Sequence, residues 1–381
     1  MNKTTALIHI RHLVFSVICL FCCQKVVAQE VIVCHLEESE LISVLCHIAD
    51  IDGYVWEEDE IATPRYFAEV DSSFAPYKNH PAVLFAKNKL LNKGFAWSTP
   101  MDFAMKFRLD KGKVVYLDDM EIDGYYDHIT PKDEKKLLRL VQKFYDDSRF
   151  HQFYLSHKPL YTECERAMRD VVRELDVAWY DRFFGKKENN TFRIVPGLLN
   201  GPGNFAVHSQ TKDGRQYVNA VMGCADVDDG DNIYYTIPAS LPILVHEFNH
   251  SYCNPLNEEF WDEMKEAVTA FFEPNAKFYR SIAYGSPQYV INETFVEASM
   301  IRYLMSHPLD LSGTKYSMPK LIERFIEIDE EDKKFTMIRD VIEALGQREQ
   351  HPDLYPTMHD FMPEYVKTVN QSAVNRTERN Q

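Results

Sequence analysis

LVHEFNHSY, residues 244–252, places His246 and His250 four positions apart with Glu247 beside the first. On a helix, residues i and i+4 stand one above the other on the same face. The two imidazoles therefore point together and can hold one divalent cation. Ser240 is expected to cap this helix, with Pro242 in its first turn. Glu247, rotated by about 100° around the axis, falls beside the open coordination position. A carboxylate there can take a proton from an attacking water and pass it to a leaving amine. An H-E-x-x-H pattern arises by chance in on the order of a few per cent of chains this long, mostly on solvated segments. Here the flanking Ile243, Leu244, Val245 and Phe248 mark a buried helix. Two histidines and a glutamate in a core without partners are costly; a zinc ion satisfies all three.

Zinc needs a third protein ligand. Downstream, YVINETFVEASMIRYL (289–304) carries Glu293 and Glu297 four apart on a second apolar helix. Two stacked carboxylates facing a core repel each other unless a cation or donor lies between them. Glu293 is assigned as the third ligand, and Glu297 as the acceptor for the far ring N–H of a ligand histidine, His246. The reverse assignment of the two glutamates stays open. The acids that follow the first helix, Glu258, Glu259, Asp262, Glu263 and Glu266, read as a solvated face. A donor for a developing oxyanion is also expected. The candidates are Tyr252, Tyr284, Tyr289 and His208, with Tyr284, next to Gly285 between the two helices, preferred.

Around this core the chain changes texture twice. EVIVCHL (30–36) reads as a strand, and SELISVLCHIADIDGY (39–54) as a helix capped by Ser39. A helix capped by Asn79 or His80 has Pro81 in its first turn, and another starts at Thr130-Pro131 with Asp133 completing a capping box. TECERAMRDVVRELDVAWYDRFFG (162–185) reads as one long amphipathic helix. TFRIVPGLL, NFAVHSQ and YVNAVMG then read as strands, with Asp213-Gly214 marking a hairpin. Helices return at Ser240 and run to the end, EEDKKFTMIRDVIEALGQ (330–347) among them. The expected fold is α+β: a small antiparallel sheet beside a zinc-binding helix, with mostly helical N- and C-terminal parts. The expected organisation is a leader at 1–28, a mostly helical region at 29–160, a metal-binding domain at 161–370 and a disordered tail at 371–381.

The leader reading rests on Lys3 and Arg11, the apolar run Leu13–Phe21 and the small residues Val26 and Ala28. Export to a bacterial periplasm or exterior follows. Lipoprotein anchoring through Cys19, Cys22 or Cys23 is the weaker alternative, because bulky residues precede them. No later segment approaches the roughly 20 apolar residues of a membrane span. Beyond the leader remain Cys34, Cys46, Cys164, Cys224 and Cys253, an odd set in which Cys34–Cys46 is a candidate bridge. The 381-residue chain has a formal charge of −16, and −19 without Lys3, Arg11 and Lys25. Such a chain repels nucleic-acid phosphates. Asn249-His250-Ser251 and Asn292-Glu293-Thr294 read as glycosylation sequons that overlap the ligands, which calls for a host that leaves them unmodified or for burial that prevents modification.

The pair HEFNH and NETFVE resembles the gluzincin metallopeptidases, the thermolysin-like and aminopeptidase-N-like enzymes. That resemblance implies a zincin-like fold with His246, His250 and Glu293 as ligands, Glu247 as base and Glu297 as the acid supporting a ligand histidine. The 42 residues between His250 and Glu293 exceed the gap of the best-known members and imply an insertion. More of the chain resembles the bacterial domain of unknown function 4932 family, a group assigned by inference to exported metallopeptidases. FAPYKNHPAV, WYDRFFG, GLLNGPGNFAV, HEFNHSYCNPL and DFMPEYV carry this likeness. Both resemblances imply that NFAVHSQ borders a cleft, where an extended peptide could pair with it and Gly201 and Gly203 would permit close approach.

The expected function is therefore an exported zinc-dependent peptidase acting on peptide or protein substrates, with Glu247 as general base. A zinc-containing but non-catalytic peptide-binding or surface protein is the alternative, marked by a fourth protein ligand such as His208. A metal-free glycan hydrolase is a third reading, and no acid pair outside the zinc region singles it out.

Overall fold

A computed structural model describes residues 31–57, 63–122, 129–187, 190–223, 226–228, 232–312 and 314–379. The expected leader and Cys224 lie outside these residues. Strand β1 (Val31–Val33) leads into helix α1 (Glu37–Ile48). Leu36 stands at the cap of α1, and Ser39, expected there, is buried inside the helix. Helix α2 (Pro64–Phe74) and α3 (Pro81–Phe85) follow; His80 caps α3 as expected, its ring accepting from the Ala82 amide. Helix α4 (Thr99–Ala104), a ribbon of β2 (Phe107–Asp110) and β3 (Lys113–Tyr116), and β4 (Met120–Ile122) come next. Helix α5 (Pro131–Ser148) starts with the expected capping box of Thr130 and Asp133.

After α6 (Phe150–Ser156), the expected long helix is two: α7 (Lys158–Val172) and α8 (Ala178–Phe183). The break falls where Asp176 turns outward from helical pairing. Its amide donates to the Tyr303 hydroxyl at 2.8 Å and its carboxylate accepts from the Ala178 amide at 3.0 Å.

Strands β5 (Asn190–Gly197), β6 (Phe205–Thr211) and β7 (Gln216–Gly223) join β1 and β4 in a five-stranded sheet of order β1-β5-β7-β6-β4. The sheet is mixed, which corrects the antiparallel expectation. Asp213-Gly214 does turn β6 onto β7, but β5 pairs with β7 in parallel, and β1 with β5 in parallel. A hairpin signal reports only on neighbours in sequence; the outer edge of β7 was free to take β5. To reach β6, the segment after β5 must then pass over the end of β7. Gly223 closes that end, and a Cβ there would lie 2.2 Å from the Gly201 carbonyl oxygen. Gly201 itself has a φ of +52° and lies against the Trp56 ring. A short pair, β8 (Asp226–Val227) and β9 (Ile233–Tyr234), completes the strands.

Helix α9 (Ile237–Glu259) carries the H-E-x-x-H pattern. It starts earlier than expected, capped at Thr236 with Pro238 in the first turn, and holds Ser240 and Pro242 inside it. Each interior proline, Pro242 and Pro255, forfeits a helical hydrogen bond; burial of Leu241, Leu244, Val245 and Phe248 offsets the loss near Pro242. The 42 residues between His250 and Glu293 complete α9, form α10 (Trp261–Phe272) and α11 (Ala276–Ser281), and begin the helix that carries Glu293. Helices α12 (Pro287–Ser306), α13 (Met318–Glu327), α14 (Ile338–Gln350) and α15 (Met358–Arg379) follow. Between α13 and α14 the chain makes a π-helical turn at Ile328–Asp332 and then breaks, so 330–347 is not one helix. The expected disordered tail is instead the end of α15 through Arg379: Ala373 is buried, and Arg376 donates to the Thr336 carbonyl. Cys34 and Cys46 are free thiols, not a bridge, Cys46 being enclosed in the core face of α1.

Val31–Gln381 form one compact unit, and its sheet draws strands from both sides of residue 160. No helix among the described residues is long and apolar enough to cross a membrane.

Candidate metal centre

The site is built by α9 and α12, and its geometry begins with how α9 lies on the sheet. Phe248 projects from α9 onto Phe192 of β5, ring centroids 5.0 Å apart, and both are fully buried. Residues opposite each other in the ladder share a face, so Phe192, Val218 and His208 all lie on the side that carries α9. Two asparagines of α9 fix the offset of α12. Asn249 donates to the Val296 carbonyl at 3.2 Å, and Asn257 to the Ile291 carbonyl at 3.2 Å and the Asn292 side chain at 3.0 Å. The asparagine of one sequon is thereby buried in a helix contact.

Held in this way, His246, His250 and Glu293 converge. One ligand atom from each lies within 4.8 Å of the others, and among the described residues no further His, Cys, Asp or Glu joins the group. The Nε2 atoms of the two histidines are 3.1 Å apart, and Glu293 oxygens lie 3.7 Å from His246 Nε2 and 3.6 Å from His250 Nε2. The outer nitrogens are engaged elsewhere. His246 Nδ1 faces Glu297 at 3.4 Å and His250 Nδ1 faces the Asn254 side-chain oxygen at 3.4 Å. Both partners accept, so each Nδ1 donates outward and each Nε2 faces inward with the Glu293 carboxylate. Three electron-rich groups facing one point need a cation between them. The cluster can therefore hold a metal ion. Each of its side chains keeps 15–18% of its surface, so the group is reachable from solvent.

Without a metal, protons take up the imbalance. Burial alone would lower the His246 pKa, but the Glu297 charge and hydrogen bond, with Glu247 and Glu293, raise it to about 9. Burial lowers His250. Glu247, outside the ligand group, is pushed by burial up to about 7; the His246 charge opposes this, Glu293 and Glu297 add to it, and a hydrogen bond from the Ala206 amide of β6 lowers it again.

Tyr284 is half-buried, its ring 5.3 Å from that of Phe335. Burial raises its hydroxyl pKa, Glu293 raises it further and Lys333 opposes, which places it within electrostatic reach of the cluster. The other tyrosines considered are elsewhere. Tyr252 is core, its hydroxyl accepting from Asn190 at 2.9 Å, and Tyr289 is exposed on the first turn of α12. Glu258, Glu259, Asp262, Glu263 and Glu266 are exposed, as expected for a solvated face.

Two site residues escaped the sequence reading. Lys333 Nζ lies 2.5 Å from Glu297 Oε1 and 2.9 Å from Asp329 Oδ1. They sit in EIDEEDKKF, a charge run that reads as solvent-facing. Only the π-helical turn rotates Asp329 and Lys333 inward, and no local signal announces it.

The family model described as Domain of unknown function (DUF4932) matches residues 38–368 of the chain. No curated protein and no solved structure matches it.

Proposed function

The chain belongs to the DUF4932 family, and on that footing we propose that it is an exported, zinc-dependent peptidase. One observation carries the reading: His246, His250 and Glu293 converge as a three-ligand group while Glu247 stays outside it. Two imidazoles and one carboxylate form the donor set of a catalytic zinc site with one position left open. Ligand atoms at zinc distances in tetrahedral array are about 3.3 Å apart; the two Nε2 atoms are 3.1 Å apart, and each has a different Glu293 oxygen at 3.6 or 3.7 Å. The lack of a fourth protein ligand among the described residues favours catalysis over a purely structural ion.

Zinc at this position supplies a Lewis acid for the scissile carbonyl and acidifies water. Glu247 accepts the proton of the attacking water and returns it to the leaving amine; a carboxyl near 7 is suited to both steps. β6 lies between β7 and β4, not at a sheet edge, but among the described residues β4 pairs only with Ser209–Thr211. The Ala206 amide holds the Glu247 carboxylate beside the remaining stretch, Phe205–His208, where an extended peptide can add its main-chain hydrogen bonds. Tyr284 is the donor assigned to the oxyanion. Lys3 and Arg11, the apolar run Leu13–Phe21 and the small residues Val26 and Ala28 support export.

The test is zinc content of the purified chain together with cleavage of a peptide mixture, wild type against Glu247→Gln. Retained zinc with cleavage reduced about 10²–10⁴-fold is expected. Undiminished cleavage in Glu247→Gln, or a wild type that takes up no metal, overturns the reading.

A further inference from the structure

Behind the ligand group runs a line of alternating charge: His246, Glu297, Lys333, Asp329. Glu297 Oε1 faces His246 Nδ1 at 3.4 Å, and the Lys333 ammonium sits on that same oxygen at 2.5 Å. Asp329 holds the ammonium from its other side at 2.9 Å. The Glu297 and Asp329 side chains are 8% and 2% exposed, so solvent barely screens either contact. Lys333 lies 36 residues beyond Glu297, on a segment that contributes nothing to the ligand group. Its ammonium also lies 5.8 Å from the Phe335 ring centroid, which adds a second contact to its placement.

A carboxylate on a helix can swing between rotamers, and one swing would take Glu297 off the imidazole. An ammonium anchored on the shared oxygen removes that freedom. The ring it faces is then held in one orientation, with Nδ1 donating outward and Nε2 presented to the metal. We infer that Lys333 is a positioning residue of the metal centre: by anchoring Glu297 it orients His246 and raises metal affinity, although it touches neither metal nor ligand. This rests on the metal-binding reading above and extends it to a residue outside the H-E-x-x-H and N-E-x-x-x-E stretches. A purely structural lysine, tying the π-helical turn to α12, would act whether or not Glu297 is a carboxylate and would leave the ligand field untouched.

The two roles separate by experiment. Zinc affinity is measured by competition with a chromophoric chelator at one pH for wild type, Lys333→Met, Lys333→Arg, Glu297→Gln and the Lys333→Met/Glu297→Gln double variant. The visible spectrum of each Co²⁺-loaded chain is recorded alongside. Lys333→Met is expected to weaken zinc about 10–100-fold, Lys333→Arg to restore most of the loss, and the double variant to be no weaker than Glu297→Gln alone. The cobalt bands of Lys333→Met should shift. Should Lys333→Met not fold, Lys333→Gln makes the same comparison. Wild-type affinity and an unshifted spectrum in the lysine variants, or additive losses in the double variant, overturn the positioning role alone. A wild type that binds no zinc overturns the metal reading itself, and this role with it.

Discussion

His246 Nε2 and His250 Nε2 face each other at 3.1 Å, with their outer nitrogens committed to Glu297 and Asn254. In the metal-free chain a proton must occupy part of that space, and His246, raised to about 9, holds it at neutral pH. Zinc binding has to displace it. Calorimetric titration with zinc at pH 7.5 in buffers of different ionisation enthalpy should show release of about one proton per ion. A heat independent of the buffer would contradict the arrangement.

The same groups set the pH dependence of the metal-free fold. His246 rises from 6.5 to about 9 and Glu247 from 4.5 to about 7, so both bind protons more tightly folded than unfolded. Such stabilisation is complete below the unfolded values and is lost as pH rises through the folded ones. Glu297 is held far below the carboxylate range; burial opposes this, and His246 and Lys333 outweigh it. It is therefore ionised in both states above about pH 6 and adds no slope there. Between pH 6 and 9 the chelator-treated chain should lose on the order of 4 kcal/mol, seen as a falling thermal midpoint. Zinc should reverse most of the fall at pH 8. A flat or rising midpoint without metal would rule this out.

Tyr284 lies within reach of Glu293, yet it belongs to neither helix of the ligand group. If its hydroxyl serves the oxyanion, Tyr284→Phe keeps zinc and substrate affinity while kcat drops about 10²–10³-fold. Equal losses in zinc affinity and activity would show instead that the ring only packs beside the site.

Gly223 sits beneath the crossing from β5 to β6, where an added Cβ would meet the Gly201 carbonyl oxygen at 2.2 Å and that of Gly203 at 2.9 Å. Neither contact is with a flexible side chain, so the backbone itself must move. Gly223→Ala should cost about 1–3 kcal/mol in denaturant unfolding. Because the crossing leads directly into Ala206, the amide partner of Glu247, cleavage should fall as well. Unchanged stability would mean that the crossing yields freely.

The local part of this protein could be read from its residues. Thr130 and Asp133 announce their capping box, His80 and Pro81 a helix start, and Asp213-Gly214 a hairpin, because each is a contact between near neighbours. His246 and His250 belong to the same class: four residues on a buried helix bring them together without help from the rest of the chain. Glu297 lies 3.4 Å from His246 Nδ1, and the supporting role proposed for it rests on the metal reading above. There the reasoning was chemical, since two carboxylates in an apolar stripe demand partners.

What the sequence determined by itself was the pairing of His246 and His250 on one face of a buried helix. Tertiary structure alone decided the parallel pairing of β5 with β7, the close crossing over Gly223 and the inward turn of Lys333 and Asp329. Those features depend on segments distant along the chain meeting in three dimensions. A strand accepts either partner direction at its free edge, and a charged run faces solvent or core according to what packs on it. Local propensity carries no record of that choice; it is made when the hydrophobic faces of the helices and sheet close on one another.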